Sequence, residues 1–153
     1  MEQRIALNRS IAAPPSAVWA VLTDLDDAPR TLRGVTAVER LSGTGYEVGT
    51  RWRETRVVFG RSATEEMQVA EVEPERRTVV TAESGGTRYR TVFELTPTAA
   101  GTDLRLEFCG RSGPMGAMQS LLLTLVGPLA KRATAKSMRQ DLDNIAAAAE
   151  QSR

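Results

Sequence analysis

The sequence predicts an α+β fold in which a curved, seven-stranded antiparallel sheet wraps around one long C-terminal helix. Three observations predict it. Apolar residues that alternate with a period of two indicate a strand at the N-terminus. A run of Val-, Thr- and Arg-rich segments, separated by turn residues, indicates further strands after it. Apolar residues at three- and four-residue spacing indicate a helix in the last third of the chain. A meander of this kind needs one face covered, and the terminal helix is long enough to cover it.

The sequence of the N-terminal part, residues 4–32, predicts one strand and two short helices. Apolar residues alternate over residues 4–11, and Pro14-Pro15 ends that strand. Because proline is tolerated in the first helical turn, a short apolar helix is predicted after it, ending near Asp24. A second short helix is predicted from Asp26 or Asp27 to Leu32.

The rest of the chain predicts six further strands and the long helix. Residues 35–110 are rich in Val, Thr, Phe, Tyr and Arg and are interrupted by Gly- and Pro-containing turn signals, which indicates strands in hairpin succession. From Met115 the spacing becomes helical, and Pro128 is expected to bend the helix. No repeat or linker divides the chain, so residues 1–153 are interpreted as a single domain.

Composition excludes several kinds of chemistry. The 153 residues include no histidine and one cysteine, so a Ser-His-Asp or Cys-His site, histidine zinc ligation and an internal disulfide are all ruled out. The net charge of +1 provides no field that would attract nucleic acid or an anionic membrane. We therefore expect no nucleic-acid partner and no metal.

Hydropathy gives an expectation for location. The N-terminus lacks an apolar segment of the secretory type, which favours a cytoplasmic protein. The most apolar stretch, residues 118–130, is shorter than the roughly 20 residues that a membrane span needs, so no integral membrane association is expected. An exposed sheet edge would allow a homodimer.

The predicted hairpins place three charged residues on the apolar inner face of the sheet. A turn at Gly60 that pairs Val58 with Ala63 would set Arg56 opposite Glu65 and Glu54 opposite Met67. Turns at Pro74-Glu75 and Gly85-Gly86 extend the same face through Val69, Val80, Ala82, Tyr89, Thr91, Phe93 and Phe108.

Charges on an apolar face are costly unless they are paired. Arg56, between Glu54 and Glu65, is open to two interpretations: a structural ion-pair network, or the polar end of a ligand cavity.

Several segments resemble the START-like (SRPBCC) superfamily, in particular its polyketide cyclase/dehydrase and lipid-transport branch. They are APPSAVW at 13–19, LTDL at 22–25, GVT at 34–36, GTRWRE at 49–54, VEPERR at 72–77 and GPLAKR at 127–132. The resemblance implies a helix-grip fold with a hydrophobic cavity between sheet and helix. It implies binding of lipids or other apolar molecules, or cyclase work on polyketide chains. Its motifs are packing motifs, so no catalytic residue is carried over.

Three functions remain open from the sequence. The first is a binding protein for a hydrophobic small molecule, without a cofactor. The second is a polyketide cyclase/aromatase- or dehydratase-type enzyme with Glu54, Arg56, Glu65 and Tyr89 as candidate catalytic residues. The third is a protein-binding module with a filled interior. The predicted ligand-binding residues are Trp52, Glu54, Arg56, Glu65, Met67, Tyr89, Thr91, Phe93, Phe108, Met118 and Leu122.

Two other patterns have simpler interpretations. Asp24, Asp26 and Asp27 are expected to cap helices, because the ligand spacing of a calcium loop is missing. Gly43, Gly45 and Gly49 are expected to be hairpin glycines, since a strand and not a helix follows them.

Overall fold

The secondary-structure elements occur in the predicted order. The computed structural model describes the backbone of residues 2–58, 60–84, 86–112 and 117–151, and the side chains of these residues except at 2, 58, 84, 112 and 117–126. The elements are β1 (Glu2–Ile11), α1 (Pro15–Leu22), α2 (Ala28–Thr31), β2 (Val35–Ser42), β3 (Arg51–Val58), β4 (Arg61–Glu73), β5 (Arg77–Ser84), β6 (Thr87–Thr98), β7 (Gly101–Ser112) and α3 (Ala117–Gln151).

One antiparallel sheet contains all seven of these strands. Their order is β1-β7-β6-β5-β4-β3-β2, so consecutive strands are neighbours except that β1 adds to β7 at one edge. Val69 lies opposite Val80, and Ala82 opposite Tyr89, which confirms the register predicted for these hairpins. The inner face therefore carries the side chains that the alternation predicted.

The register predicted between β3 and β4 is wrong by two residues. Only residues 59 and 60 separate the strands, and Val58 pairs with Arg61, not with Ala63. Gly60 has a φ of 72°, which a tight hairpin turn requires and a side chain disfavours. Because side chains alternate with a period of two, this shift changes every partner but leaves each side chain on its predicted face.

Buried side chains form two apolar clusters at opposite ends of the inner face. The larger cluster joins α1 and the end of α3 to β1, β6 and β7 through Ile11, Ala13, Val18, Leu95, Leu104, Leu106, Leu142, Ile145, Ala146 and Ala149. The smaller one joins the α1–α2 connection to β3, β4 and β5 through Leu25, Trp52, Val69 and Val80. The space between the two clusters is where a ligand could fit.

The C-terminal half of α3 anchors the helix. Leu142, Ile145 and Ala149 are buried against α1 and β1, at the spacing that the sequence predicted. Pro128 lies inside α3, whereas the predicted start at Met115 lies outside the described residues. No helix within the described ranges combines the length and the apolar character needed to cross a membrane.

The outer face of the sheet carries two buried valines among its charged residues. Val79 and Val92, which pair with each other on that face, are 0% and 4% exposed. The register surrounds them with Arg77, Arg90 and Glu107, and long arginine stems can cover apolar surface while their charged ends stay in water. The outer face is thus charged at its surface but not polar throughout.

Candidate functional site

A cavity of about 310 Å³ lies between the inner face of the sheet and the three helices. Nine of the predicted ligand-binding residues line it: Trp52, Glu54, Arg56, Glu65, Met67, Tyr89, Thr91, Phe93 and Phe108. The side chains of the other two, Met118 and Leu122, lie outside the described residues. Such a volume is at the lower end of the range of small-molecule sites, so the inner face does bring the predicted residues together around an open space.

Aromatic rings form one wall of the cavity. Tyr89 and Phe108 stack with their ring centres 5.4 Å apart and their planes 20° from parallel. Gly110 lies opposite Tyr89 in the ladder, and a Cβ at Gly110 would be 3.2 Å from that ring. A glycine at this position therefore gives the Tyr89 ring room to lie against the sheet. Trp52 closes the wall on β3 and is only 3% exposed.

An ion network forms the polar end. The Arg56 Nε donates to Glu54 Oε2 at 2.7 Å, and its Nη1 and Nη2 reach Asp141 Oδ1 and Oδ2 at 3.2 and 2.8 Å. Trp52 Nε1 donates to the second oxygen of Glu54 at 3.4 Å. The two-pronged contact with Asp141 is the strong geometry for an arginine and a carboxylate, and it ties β3 to α3.

The second carboxylate of this network is therefore not the predicted one. The sequence placed Arg56 between Glu54 and Glu65, but Arg56 lies opposite Ala63 and Glu65 lies opposite Glu54. Asp141 takes the predicted place of Glu65. A signal for it exists in the sequence, because Asp141 falls three residues after Met138 and four before Ile145, on the apolar stripe of the helix.

Burial and charge act in opposite directions on this pair. Burial alone would lower the pKa of Arg56, but the carboxylates of Asp141 and Glu54 outweigh it and raise that pKa. Burial raises the pKa of Asp141, and the Arg56 guanidinium offsets part of the rise. Arg56 thus stays a cation and holds two buried carboxylates in place.

Glu65 stands apart from the network. It is half-buried on the inner face and forms no hydrogen bond or ion pair with other described residues. Burial raises its pKa, the neighbouring Glu54 raises it further, and Arg56 offsets part of this rise. Glu65 is therefore a cavity carboxyl that holds its proton more firmly than an exposed glutamate does.

Tyr46 is a cavity residue that the sequence did not single out. Its hydroxyl lies 2.8 Å from Thr78 Oγ1, and Thr78 in turn donates to the Glu71 carbonyl oxygen at 3.0 Å. A threonine hydroxyl has one hydrogen, so Tyr46 must be the donor to Thr78. Burial raises the pKa of Tyr46 to about 12. The Tyr46 ring also meets Trp19 of α1 edge to face, at 6.2 Å between ring centres.

The three aspartates after α1 do not all cap helices. Asp24 Oδ1 accepts the Asp27 amide at 3.3 Å, and Asp26 pairs with Arg40 at 2.8 Å. Asp27 occupies the N-cap position of α2, yet its side chain makes no capping bond. Within the described residues, no group of three or more acidic, cysteine or histidine side chains is placed to hold a metal ion.

Comparison with known proteins gives one family and one fold. Residues 2–150 match the family model described as polyketide cyclase / dehydrase and lipid transport. No curated protein matches the sequence.

Solved structures resemble the chain over nearly its full length. The Zhui aromatase/cyclase from Streptomyces sp. R1128 has a TM-score of 0.83 at 16% identity, over 99% of this chain and 95% of that one. TTHA0849 from Thermus thermophilus has a TM-score of 0.72 at 23% identity, over 95% and 99%. The di-domain aromatase/cyclase StfQ of the steffimycin pathway has a TM-score of 0.82 at 14% identity, over 99% and 52%. These likenesses show the helix-grip fold.

Proposed function

Because the chain belongs to the polyketide cyclase/dehydrase and lipid-transport family, we propose that residues 1–153 act as one domain that binds a hydrophobic small molecule between the sheet and α3. The observation that carries this proposal is the cavity of about 310 Å³. Its walls are mostly apolar and a few polar groups converge at one end, as in ligand sites generally. A protein-binding module with a filled interior is less well supported, since the described residues leave this space open.

In this proposal the inner-face residues have two roles. The aromatic wall of Trp52, Tyr89 and Phe108 supplies contact area for a flat or flexible apolar ligand. Arg56 and Glu65 orient the ligand's polar group. Three of the five N–H groups of Arg56 are used by Glu54 and Asp141, so two remain that could donate to a ligand carbonyl oxygen.

Binding is tested with the neutral fluorescent probe N-phenyl-1-naphthylamine. Thr91 lies on the inner face in the middle of β6, and Thr91→Phe would fill the cavity with a ring. The matched control is Thr96→Phe, which places the same ring on the exposed outer face of the same strand. We expect T91F to weaken probe binding by at least about tenfold and T96F to leave it unchanged. Equal binding by both variants would contradict the proposal.

Glu65 favours a second candidate function, that of a cyclase or aromatase. A carboxyl with a raised pKa, close to a fixed guanidinium, is a usual arrangement for acid-base chemistry. The ionised form of Glu65 would remove a proton from a methylene group between two ketones, and Arg56 would stabilise the resulting enolate oxygen. The enolate carbon would attack a second carbonyl to form a C–C bond, and Glu65 would return its proton to the new alkoxide. Loss of water would then follow.

Measurements of product formation and of probe affinity distinguish the enzyme from the binding protein. A linear poly-β-ketone would be incubated with wild-type protein and with Glu65→Gln, and the aromatic product would be followed by absorbance and mass spectrometry. Loss of product in E65Q, with probe affinity retained, would support the enzyme. Product formation at the rate of the uncatalysed reaction in both proteins would leave binding as the function.

A further inference from the structure

Among the residues that the structure describes, the charged groups that line the cavity are mostly acidic. They are Asp24, Glu54, Arg56, Glu65 and Asp141, which gives four carboxyl groups and one guanidinium. The chain as a whole is nearly neutral, with a net charge of +1. The excess of acidic groups is therefore a property of this cavity and not of the protein.

The single cation among these described lining residues is already engaged. Arg56 contacts Glu54 through Nε and Asp141 through Nη1 and Nη2, and its side chain is only 25% exposed. The segment 112–126, whose side chains are not described, contains no charged residue in its sequence and so cannot supply another cation. A ligand that brought a carboxylate here would meet two paired carboxylates, the free Glu65 and no cation without a partner.

Resting on the proposed function, we infer that the cavity selects apolar molecules whose polar group donates hydrogen bonds, above all a protonated amine, and rejects those that end in a carboxylate. Glu65 is the acceptor for that group. It is half-buried among Met67 and the other inner-face residues and has no hydrogen-bond partner among the described residues. A half-buried acceptor is only partly hydrated, and a ligand donor supplies a hydrogen bond that the described residues do not.

Charge decides between head groups because the site is partly desolvated. An ammonium group facing Glu65 forms a charge-assisted hydrogen bond, which is about twice as strong as a neutral one. A carboxylate loses its hydration on entry and meets repulsion from Glu65 and Glu54, while the Arg56 charge that would offset this repulsion is already shared by Glu54 and Asp141. Specificity therefore comes from rejection as much as from attraction.

The test uses three ligands with the same chain. Decylamine, decanol and decanoate displace N-phenyl-1-naphthylamine at neutral pH, and each inhibition constant is corrected for the probe affinity of the protein used. Wild-type protein should prefer decylamine to decanoate by about tenfold or more, with decanol between them. Glu65→Gln keeps the shape and removes the charge, and it should lower the preference about tenfold.

The matched control is Glu66→Gln. Glu66 neighbours Glu65 in the chain but is exposed on the outer face, where it pairs with Arg51. The E66Q variant should keep the wild-type preference, and thermal unfolding by circular dichroism shows whether each variant is folded.

The outcomes distinguish the two proposals. If all three ligands displace the probe equally, or if E65Q and E66Q show the same preference, the head-group inference is overturned and the proposed function stands. If neither the probe nor any ligand binds, the proposed function fails and the inference fails with it.

Discussion

Replacing Arg56 with methionine should destabilise the protein more than any arginine change on the outer face. The guanidinium makes three contacts with Glu54 and Asp141, whose side chains are 12% and 13% exposed. Methionine can fill much of the same space but has no charge. Both carboxylates would then be buried without a cation.

The magnitude follows from the burial. Removing one partner of a buried ion pair costs about 3 to 5 kcal/mol, and the low end applies because a quarter of the Arg56 side chain is exposed. For a chain of this length, 1 kcal/mol lowers Tm by about 2 to 4 °C, so a loss of about 3 kcal/mol should lower Tm by roughly 6 to 12 °C. Urea unfolding at pH 7, followed by circular dichroism, gives the free energy directly.

Arg53→Met is the control for this change. Arg53 lies on the outer face of the same strand and pairs with Glu39 at 3.1 Å, with both side chains largely exposed. Such a surface pair contributes about 1 kcal/mol or less. Equal losses in R53M and R56M would refute the buried-network interpretation.

A pH series adds a second check on Arg56. Without the guanidinium, nothing offsets the burial that raises the pKa of Asp141. When folding raises the pKa of a carboxyl, the free energy of unfolding falls as the pH rises through that pKa. The deficit of R56M should therefore shrink when the pH is lowered from 7 to 5, and a deficit that stays constant would contradict the assignment.

Three further predictions concern other sites. Glu65→Gln should raise Tm above that of the wild type at pH 7 but not at pH 4. A glutamate whose pKa is raised by folding destabilises the protein only when the pH exceeds its ordinary pKa of 4.5. An equal effect at both pH values would count against this prediction. Gly101→Ala should lower the free energy of unfolding in urea several times more than Gly60→Ala does, because a Cβ at Gly101 would collide with the Ile11 carbonyl oxygen while a Cβ at Gly60 would meet open space. Similar losses in the two variants would disprove this clash. Tyr46→Phe should lower the free energy of unfolding by about 1 kcal/mol through loss of its hydroxyl bond, and no measurable change would show that bond to be unimportant.

The inner face of the sheet was predictable because period two is a robust signal. The predicted β3–β4 register was in error by two residues and set Arg56 opposite Glu65 instead of Ala63, yet it left every side chain on its correct face. The turn itself was harder to predict, since Gly60 suits both a two-residue loop and a longer one. The predicted set of inner-face residues was therefore correct, although the predicted cross-strand pairs between β3 and β4 were wrong.

The contact between Arg56 and Asp141 could not be derived from strand patterns. It depends on how far α3 lies along the sheet, and the local spacing of apolar residues does not encode that position. The helical stripe does contain the clue. Asp141 is a charged residue among Met138, Leu142 and Ile145, and a charge in such a position needs a partner from the element that the stripe covers.

The lack of histidine gives Glu65 its importance for both proposed functions. With no imidazole in the chain, a carboxyl whose pKa is raised is the group best suited to proton transfer in the cavity near neutral pH. Among the described residues two such carboxyls line the cavity, and one of them, Asp141, is held by Arg56. Glu65 is free to receive a ligand donor or to move a proton, and the same substitution removes both abilities. If E65Q changes head-group preference without a loss of turnover, the carboxylate serves recognition; if turnover disappears while a neutral ligand still binds, it serves chemistry.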